Sequence, residues 1–256
     1  MSPRALLFDC DNTLVLSEDI AFEGCALLVN EILEKNDISD RYNGPGLLKD
    51  FVGQNFRGMM VSLQKKYNIT LTEETMANYV DRELATVTEL LKQKAEPCPG
   101  VVPILSELAK EPYILAVVSS SALPRVVASL HKTSIDQYFG DRVYSAATSL
   151  PKPTSKPDPA VYLHACEKLG VSPSECVAFE DSRSGATAAK NAGIPLIGYV
   201  GAYETKEEQD KMKKVLTEDC GAIVVMNHWN EFPQALEQVS KSVASAASDK
   251  VERSRY

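Results

Sequence analysis

The sequence has no uncharged apolar stretch long enough to cross a bilayer, and Met1-Ser2-Pro3-Arg4 runs into a short apolar segment with no secretory hydrophobic region. Membrane insertion and secretion are therefore not expected, and a cytoplasmic location is. There is no CxxC pair either: Cys10, Cys25, Cys98, Cys166, Cys176 and Cys220 are scattered through apolar or turn contexts and read as reduced thiols. Basic charge is in deficit. With 27 Lys and Arg against 35 Asp and Glu, the formal charge of −8 disfavours sequence-independent binding to nucleic acid or to an anionic membrane. An acidic chain that binds an anion needs local positive charge or a metal. Neither a GxxxxGK(S/T) phosphate loop nor an HExxH zinc motif is present. His131, His164 and His228 are well separated and read as structural or solvated residues, and Trp229 and the pair Met59 and Met60 read as packing residues.

What is present begins with Ala5-Leu6-Leu7-Phe8 followed by Asp9-Cys10-Asp11-Asn12-Thr13. A short unbroken apolar run reads as a buried parallel strand, and ligands of open α/β sheets bind beyond the carboxyl ends of such strands. On an extended backbone residues i and i+2 point the same way, so Asp9 and Asp11 can converge as a two-carboxylate centre, while Thr13 can bond the turn that carries them. The 256 residues, 44% of them hydrophobic, suffice for one large domain or two smaller ones.

Helical spacing is expected from Ser17, a candidate N-cap, to about Lys35, from about Leu47 to Tyr67, and from about Thr72 to Lys94. Residues 17–93 thus read as an all-helical insertion. After Pro97-Cys98-Pro99-Gly100 the pattern becomes strand-then-helix, with strands expected at Ile114–Val118, Val143–Ser145, Val177–Phe179, Leu196–Val200 and Ala222–Val225. Helices are expected at Val101–Lys110, Pro124–His131, Asp158–Leu169, Ser184–Ala192 and Phe232–Val239. Such alternation predicts an α/β, Rossmann-like parallel sheet with helices on both faces. The core would comprise residues 1–16 and 94–240, and the Ser-, Ala- and charge-rich residues 241–256 read as a flexible tail.

Three further strand ends carry polar residues suited to the same site. Ser119-Ser120-Ser121 offers hydroxyl and N–H donors to phosphate oxygens. Lys152 and Lys156 precede a helix in Pro151-Lys152-Pro153-Thr154-Ser155-Lys156-Pro157-Asp158-Pro159, and either could place positive charge beside an anion. Glu180-Asp181-Ser182 follows a buried strand; its acids suit a hard cation such as Mg²⁺, although Asp181 or Ser182 could equally be a helix N-cap.

In this order, DxDxT, a strand-end Ser, a Lys-Pro before a helix, and Glu-Asp-Ser closely resemble the haloacid dehalogenase superfamily, over roughly residues 4–16 and 97–225. The segments DCDNTLVLSE, SKPDPAVYLHA and FEDSRSGATAAKNAG resemble its sugar-phosphate phosphatase and β-phosphoglucomutase-like branch, and the insertion at 17–93 sits where subclass I carries its C1 helical cap. The resemblance implies Asp9 as a nucleophile that becomes an aspartyl phosphate and Asp11 as the acid, then base. It implies Mg²⁺ held by Asp9, the backbone carbonyl of Asp11 and Asp181, with Glu180 supporting the metal from outside. Ser119, the Ser120 N–H and Lys156 would grip the phosphoryl oxygens; Lys156 is preferred to Lys152 because Lys156-Pro157-Asp158-Pro159 directly precedes the helical pattern, as in the family motif.

Asn12 stands where the first motif commonly has Gly, and Asn tolerates the left-handed conformation. In the cap, Phe51-Val52-Gly53-Gln54-Asn55-Phe56-Arg57 resembles the loop that reads the substrate, with Gln54, Asn55 and Arg57 as the candidates. The expected activity is Mg²⁺-dependent hydrolysis of a small-molecule phosphate ester by a monomer or weak dimer. Asp11 argues against dehalogenation; a phosphomutase, or a catalytically silent binding protein on the same scaffold, is the alternative.

Overall fold

The computed structural model describes residues 3–51 and 54–253. The strands are β1 (Ala5–Phe8), β2 (Val15–Leu16), β3 (Glu96–Pro97), β4 (Ile114–Ser119), β5 (Val143–Ser145), β6 (Cys176–Glu180), β7 (Leu196–Tyr199) and β8 (Val224–Met226). Among the described residues six of them form a parallel sheet in the order β5-β4-β1-β6-β7-β8, the α/β architecture expected from the alternation. β1 lies between β4 and β6, with Phe8 in register with Val117 on one side and Phe179 on the other. The chain segments that follow β1, β4 and β6 therefore emerge side by side.

The helices are α1 (Glu18–Lys35), α2 (Gly44–Asp50), α3 (Phe56–Tyr67), α4 (Glu73–Lys94), α5 (Val101–Leu108), α6 (Leu123–Lys132), α7 (Ala160–Leu169), α8 (Arg183–Asn191), α9 (Lys206–Lys214) and α10 (Phe232–Arg253). The two-residue period of β1 decides how they pack. Leu6 and Phe8 face one apolar cluster with Val101 and Leu105 of α5, Val126 and Leu130 of α6, and Phe232 and Leu236 of α10. Ala5 and Leu7 face the other, with Val161 and Tyr162 of α7 and Ala186 and Ala189 of α8. On the first face Phe8 stacks on Phe179 with ring centroids 4.7 Å apart, and Trp229 joins both rings. The Trp229 indole donates to the Thr13 carbonyl at 3.1 Å, which ties the approach to α10 to the loop after β1.

Helices α1–α4 lie between β2 and β3, which pair antiparallel, Val15 with Pro97 and Leu16 with Glu96. The chain thus leaves the sheet and returns to it through one short ribbon. The helices share a third apolar cluster that includes Leu28, Ile32, Leu47, Met59, Met60, Leu63 and Met76. Met59 and Met60 are packing residues there.

Three expectations need correction. The single helix expected over 47–67 is two, because Asn43 Oδ1 caps α2 by accepting from Gly46 N–H (2.8 Å) and Asn55 Oδ1 caps a new helix, α3, by accepting from Gly58 N–H (2.9 Å). Val52 and Gly53, between the two, lie outside the described residues. Helix α9 was not expected, since no residue in it is buried and its sequence KEEQDKMKK lacks an apolar stripe. The last helix, expected to end at Val239, runs to Arg253. Among the described residues no helix is long and apolar enough to cross a membrane. All six cysteines are buried free thiols.

Candidate active site

Asp9 is the first residue beyond β1, and its N–H donates to the Phe179 carbonyl of the neighbouring strand at 3.0 Å. Glu180 closes β6, Asp181 follows it, and Ser119 closes β4. The register of the sheet thus brings together three sequence-distant segments. Carboxylate oxygens of Asp9, Glu180 and Asp181, all buried, lie within 4.8 Å of one another.

Lys156 reaches this cluster from the segment before α7. Its ammonium donates to Asp9 Oδ1 at 2.6 Å, to Glu180 Oε1 at 2.6 Å and to the Val118 carbonyl at 2.7 Å, so all three of its donors are used. The Lys156 backbone N–H donates to the Ser120 hydroxyl at 3.1 Å, which fixes the segment against the end of β4. Lys152 is exposed on the outer part of the same segment. Tyr162 of α7, fully buried, donates its hydroxyl to Glu180 Oε1 and lies under the Lys156 ammonium, 5.3 Å from the ring centroid.

Among the described residues Glu180 Oε2 is buried with no hydrogen-bond partner. It lies against Gly185, where a Cβ would come within 1.7 Å of it. Ser182, not Asp181, caps α8, accepting from Gly185 N–H at 3.2 Å, so the Asp181 carboxylate is left to the cluster. Thr13 Oγ1 stands 3.5 Å from Asp181 Oδ1, and the Tyr203 hydroxyl donates to the Asp181 carbonyl at 3.2 Å.

Electrostatics sharpen the picture. Burial pushes the Asp9 carboxyl up to about 8, the nearby Lys156 charge opposing and the Glu180 and Asp11 charges reinforcing the rise. Burial likewise raises Glu180 and Asp181. Against the cost of its own burial, the carboxylates of Asp9 and Glu180 hold Lys156 in its charged form. Fully ionised, the three carboxylates beside the one ammonium would leave two negative charges in a buried space, the complement of a divalent cation. Oxygen-only donors and an orphaned carboxylate oxygen suit a hard ion such as Mg²⁺.

The Asp11 carboxylate is outside that cluster. It accepts from Ser17 Oγ at 2.5 Å and from Ser121 Oγ at 2.8 Å, with Ser119 Oγ at 3.4 Å. The cap candidates are engaged within the helical insertion: Gln54 Oε1 accepts from Ser62 Oγ at 2.8 Å, Asn55 caps α3, and Arg57 pairs with Glu73. Ser121, Tyr162 and Tyr203 were missed in their contact roles. Tyr162 and Tyr203 carry no sequence signal for such a role; the serine run could have pointed to Ser121.

A family model of haloacid dehalogenase-like hydrolases matches residues 3–193. The chain is 30% identical over 238 residues to a CBBY-like protein of Arabidopsis thaliana, covering 85% of this chain and 69% of that one. It is 29% identical to a phosphorylated carbohydrates phosphatase of Thermotoga maritima, over 76% of this chain and 83% of the other. Among solved structures, a HAD hydrolase of family IA, variant 3, from Entamoeba histolytica shares the fold with a TM-score of 0.73 at 22% identity, over 94% of this chain and 100% of that one. With that model matched over residues 3–193, this chain belongs to the haloacid dehalogenase-like hydrolases.

Proposed function

We propose that the chain is a Mg²⁺-dependent phosphatase that hydrolyses a small organic phosphate monoester through a phosphorylated Asp9. The observation that carries this reading is the Lys156 ammonium seated between Asp9 and Glu180 in the buried three-carboxylate cluster. A nucleophile, a cation for phosphoryl oxygens and a hard-ion donor set share one space. The relative acting on phosphorylated carbohydrates supports a sugar or polyol phosphate as the substrate class.

In the first half-reaction an Asp9 oxygen attacks phosphorus, the bond from phosphorus to the ester oxygen breaks, and Asp11 gives its proton to that leaving oxygen. In the second, Asp11 takes a proton from water as the water oxygen attacks phosphorus. The bond to Asp9 then breaks, and inorganic phosphate leaves. Lys156, Ser119 and the Ser120 N–H bind the phosphoryl oxygens. Asp9, the Asp11 carbonyl and Asp181 would hold Mg²⁺, with Glu180 supporting it. When bound, the ion supplies the positive charge that keeps the buried Asp9 ionised and offsets the charge of the phosphoryl group.

Residues 17–93 act as a cap over this core, excluding water and reading the rest of the substrate through Gln54, Asn55 and Arg57. The test is phosphate release from a panel of sugar, polyol and aryl phosphates, with Mg²⁺ or with EDTA. Release that EDTA abolishes and Mg²⁺ restores is expected. No release across the panel, or release indifferent to EDTA, would refute the reading.

A further inference from the structure

Ser17 stands at the N-cap position of α1, where a serine ordinarily spends its hydroxyl on the helix's own N–H groups. Here it does not. Its carbonyl accepts from Ala21 N–H at 3.0 Å and so begins the helix, yet its side chain makes no cap bond and donates to Asp11 Oδ1 at 2.5 Å instead. The capping is done from outside the helix. Asn12 Oδ1 faces the N–H groups of Ser17 and Glu18 at 3.4 and 3.5 Å, and Asn12 Nδ2 donates to Glu18 Oε2 at 2.8 Å. Asn12 can do this because its backbone is left-handed, with φ +55°, which turns its side chain toward the start of α1.

The opposite oxygen of Asp11 is fixed from another element. Ser121, in the loop after β4, donates to Oδ2 at 2.8 Å and is itself anchored, its N–H donating to Ser119 Oγ at 3.0 Å and its carbonyl accepting from Ser145 Oγ at 2.8 Å. One carboxylate is thus clamped between the first residue of the helical insertion and a loop of the sheet. Ser17 is buried, with 2% of its surface exposed, so water does not compete for the bond. A hydroxyl is also the group suited to an acid that must become a base: it donates to the carboxylate, and on rotation it accepts from the protonated form.

We propose that Ser17 is a positioning residue that orients Asp11 for proton transfer to the leaving group, with Asn12 tying the start of α1 to the loop that carries Asp11. The inference rests on the reading of Asp11 as general acid. It also means that the direction of Asp11 follows the position of α1, so that a shift of the insertion would move the acid.

The test uses kcat/KM for phenyl phosphate and p-nitrophenyl phosphate, which differ little in shape but greatly in how much their leaving oxygen needs a proton. Ser17→Ala should lower kcat/KM about tenfold or more on phenyl phosphate and less than about threefold on p-nitrophenyl phosphate, with Ser17→Thr restoring most of the loss. Asn12→Gly keeps the left-handed turn and removes only the capping side chain, and should give the same selective loss in smaller degree. Equal losses on both esters for Ser17→Ala, no loss, or failure of Ser17→Thr to rescue would overturn the proposal. Asp11→Asn separates the two ideas. If it shows the ester-selective loss and Ser17→Ala does not, only the positioning role falls; if Asp11→Asn itself loses equally on both esters, the general-acid reading falls.

Discussion

Replacing Lys156 by Met removes the ammonium and keeps most of the side-chain volume over Tyr162, so the change is electrostatic more than steric. Three hydrogen bonds of 2.6–2.7 Å disappear, and Asp9 and Glu180 are left buried without their cation. Breaking a buried pair from one side costs about 3–5 kcal/mol when the remaining charge cannot be hydrated. The carboxyls can escape part of this by staying protonated, and that escape depends on pH. Asp9 already titrates at about 8, against an ordinary value of 3.8, and losing Lys156 moves it higher. A carboxyl raised in the folded chain keeps its full stability below the unfolded value and loses it as pH rises through the folded one. Each pH unit over which the folded chain must hold that proton alone costs about 1.4 kcal/mol.

The loss caused by Lys156→Met should therefore be larger at about pH 9, a unit above the Asp9 value, than at about pH 5.5, by up to about 1.4 kcal/mol from Asp9. Urea unfolding of wild type and variant in EDTA, followed by circular dichroism at the two pH values, measures it. Mg²⁺ should return part of the stability at the higher pH, since it supplies the missing charge. Equal losses at both pH values, or a larger one at the lower, would refute the electrostatic reasoning. Phosphatase activity should fall by at least about a hundredfold, because phosphoryl oxygens lose a charged donor.

At Gly185, an Ala would ordinarily strengthen a helix by up to about 1 kcal/mol. Its Cβ would sit 1.7 Å from Glu180 Oε2 and 2.2 Å from Cδ, so Gly185→Ala should instead destabilise by about 2 kcal/mol and weaken Mg²⁺ binding, measured by thermal unfolding and calorimetric titration. A stabilised variant with intact Mg²⁺ affinity would contradict this. Asn55→Ala should cost about 1 kcal/mol through loss of the α3 cap, whereas Arg57→Ala, which breaks an exposed pair, should change stability by less than about 0.5 kcal/mol. Any altered ranking of phosphate esters by Arg57→Ala would then report on recognition; an unchanged ranking would remove Arg57 from the reading surface.

The parallel core was legible because its strands are short apolar runs bounded by turn residues. Ala5–Phe8 and Val143–Ser145 fall where the sequence pattern puts them, and the chemistry follows at the strand ends. Helix α9 is not legible from amphipathic spacing, since none of its residues is buried. A different signal was there: Thr205 and Glu208 form a capping box, with Thr205 accepting from Glu208 N–H at 3.2 Å and donating its hydroxyl to the Glu208 carboxylate at 2.8 Å. The break between α2 and α3 likewise lies in a cap residue, Asn55, whose side chain holds the start of α3. Ser17 shows the converse. Its type and place announce an N-cap, yet its hydroxyl makes no cap bond and donates to Asp11, while Asn12 faces the first N–H groups of α1, contacts that local sequence cannot reveal.

The phosphoryl state of Asp9 is the most direct test of the mechanism. The enzyme is mixed with Mg²⁺ and a phosphate ester that it cleaves, quenched in acid within a turnover, digested and sequenced by mass spectrometry. A single acid-stable, base-labile phosphoryl adduct on Asp9 is expected, absent from Asp9→Asn, which should fold normally and release no phosphate. Near-normal phosphate release by folded Asp9→Asn, or an adduct on any other residue, would contradict it.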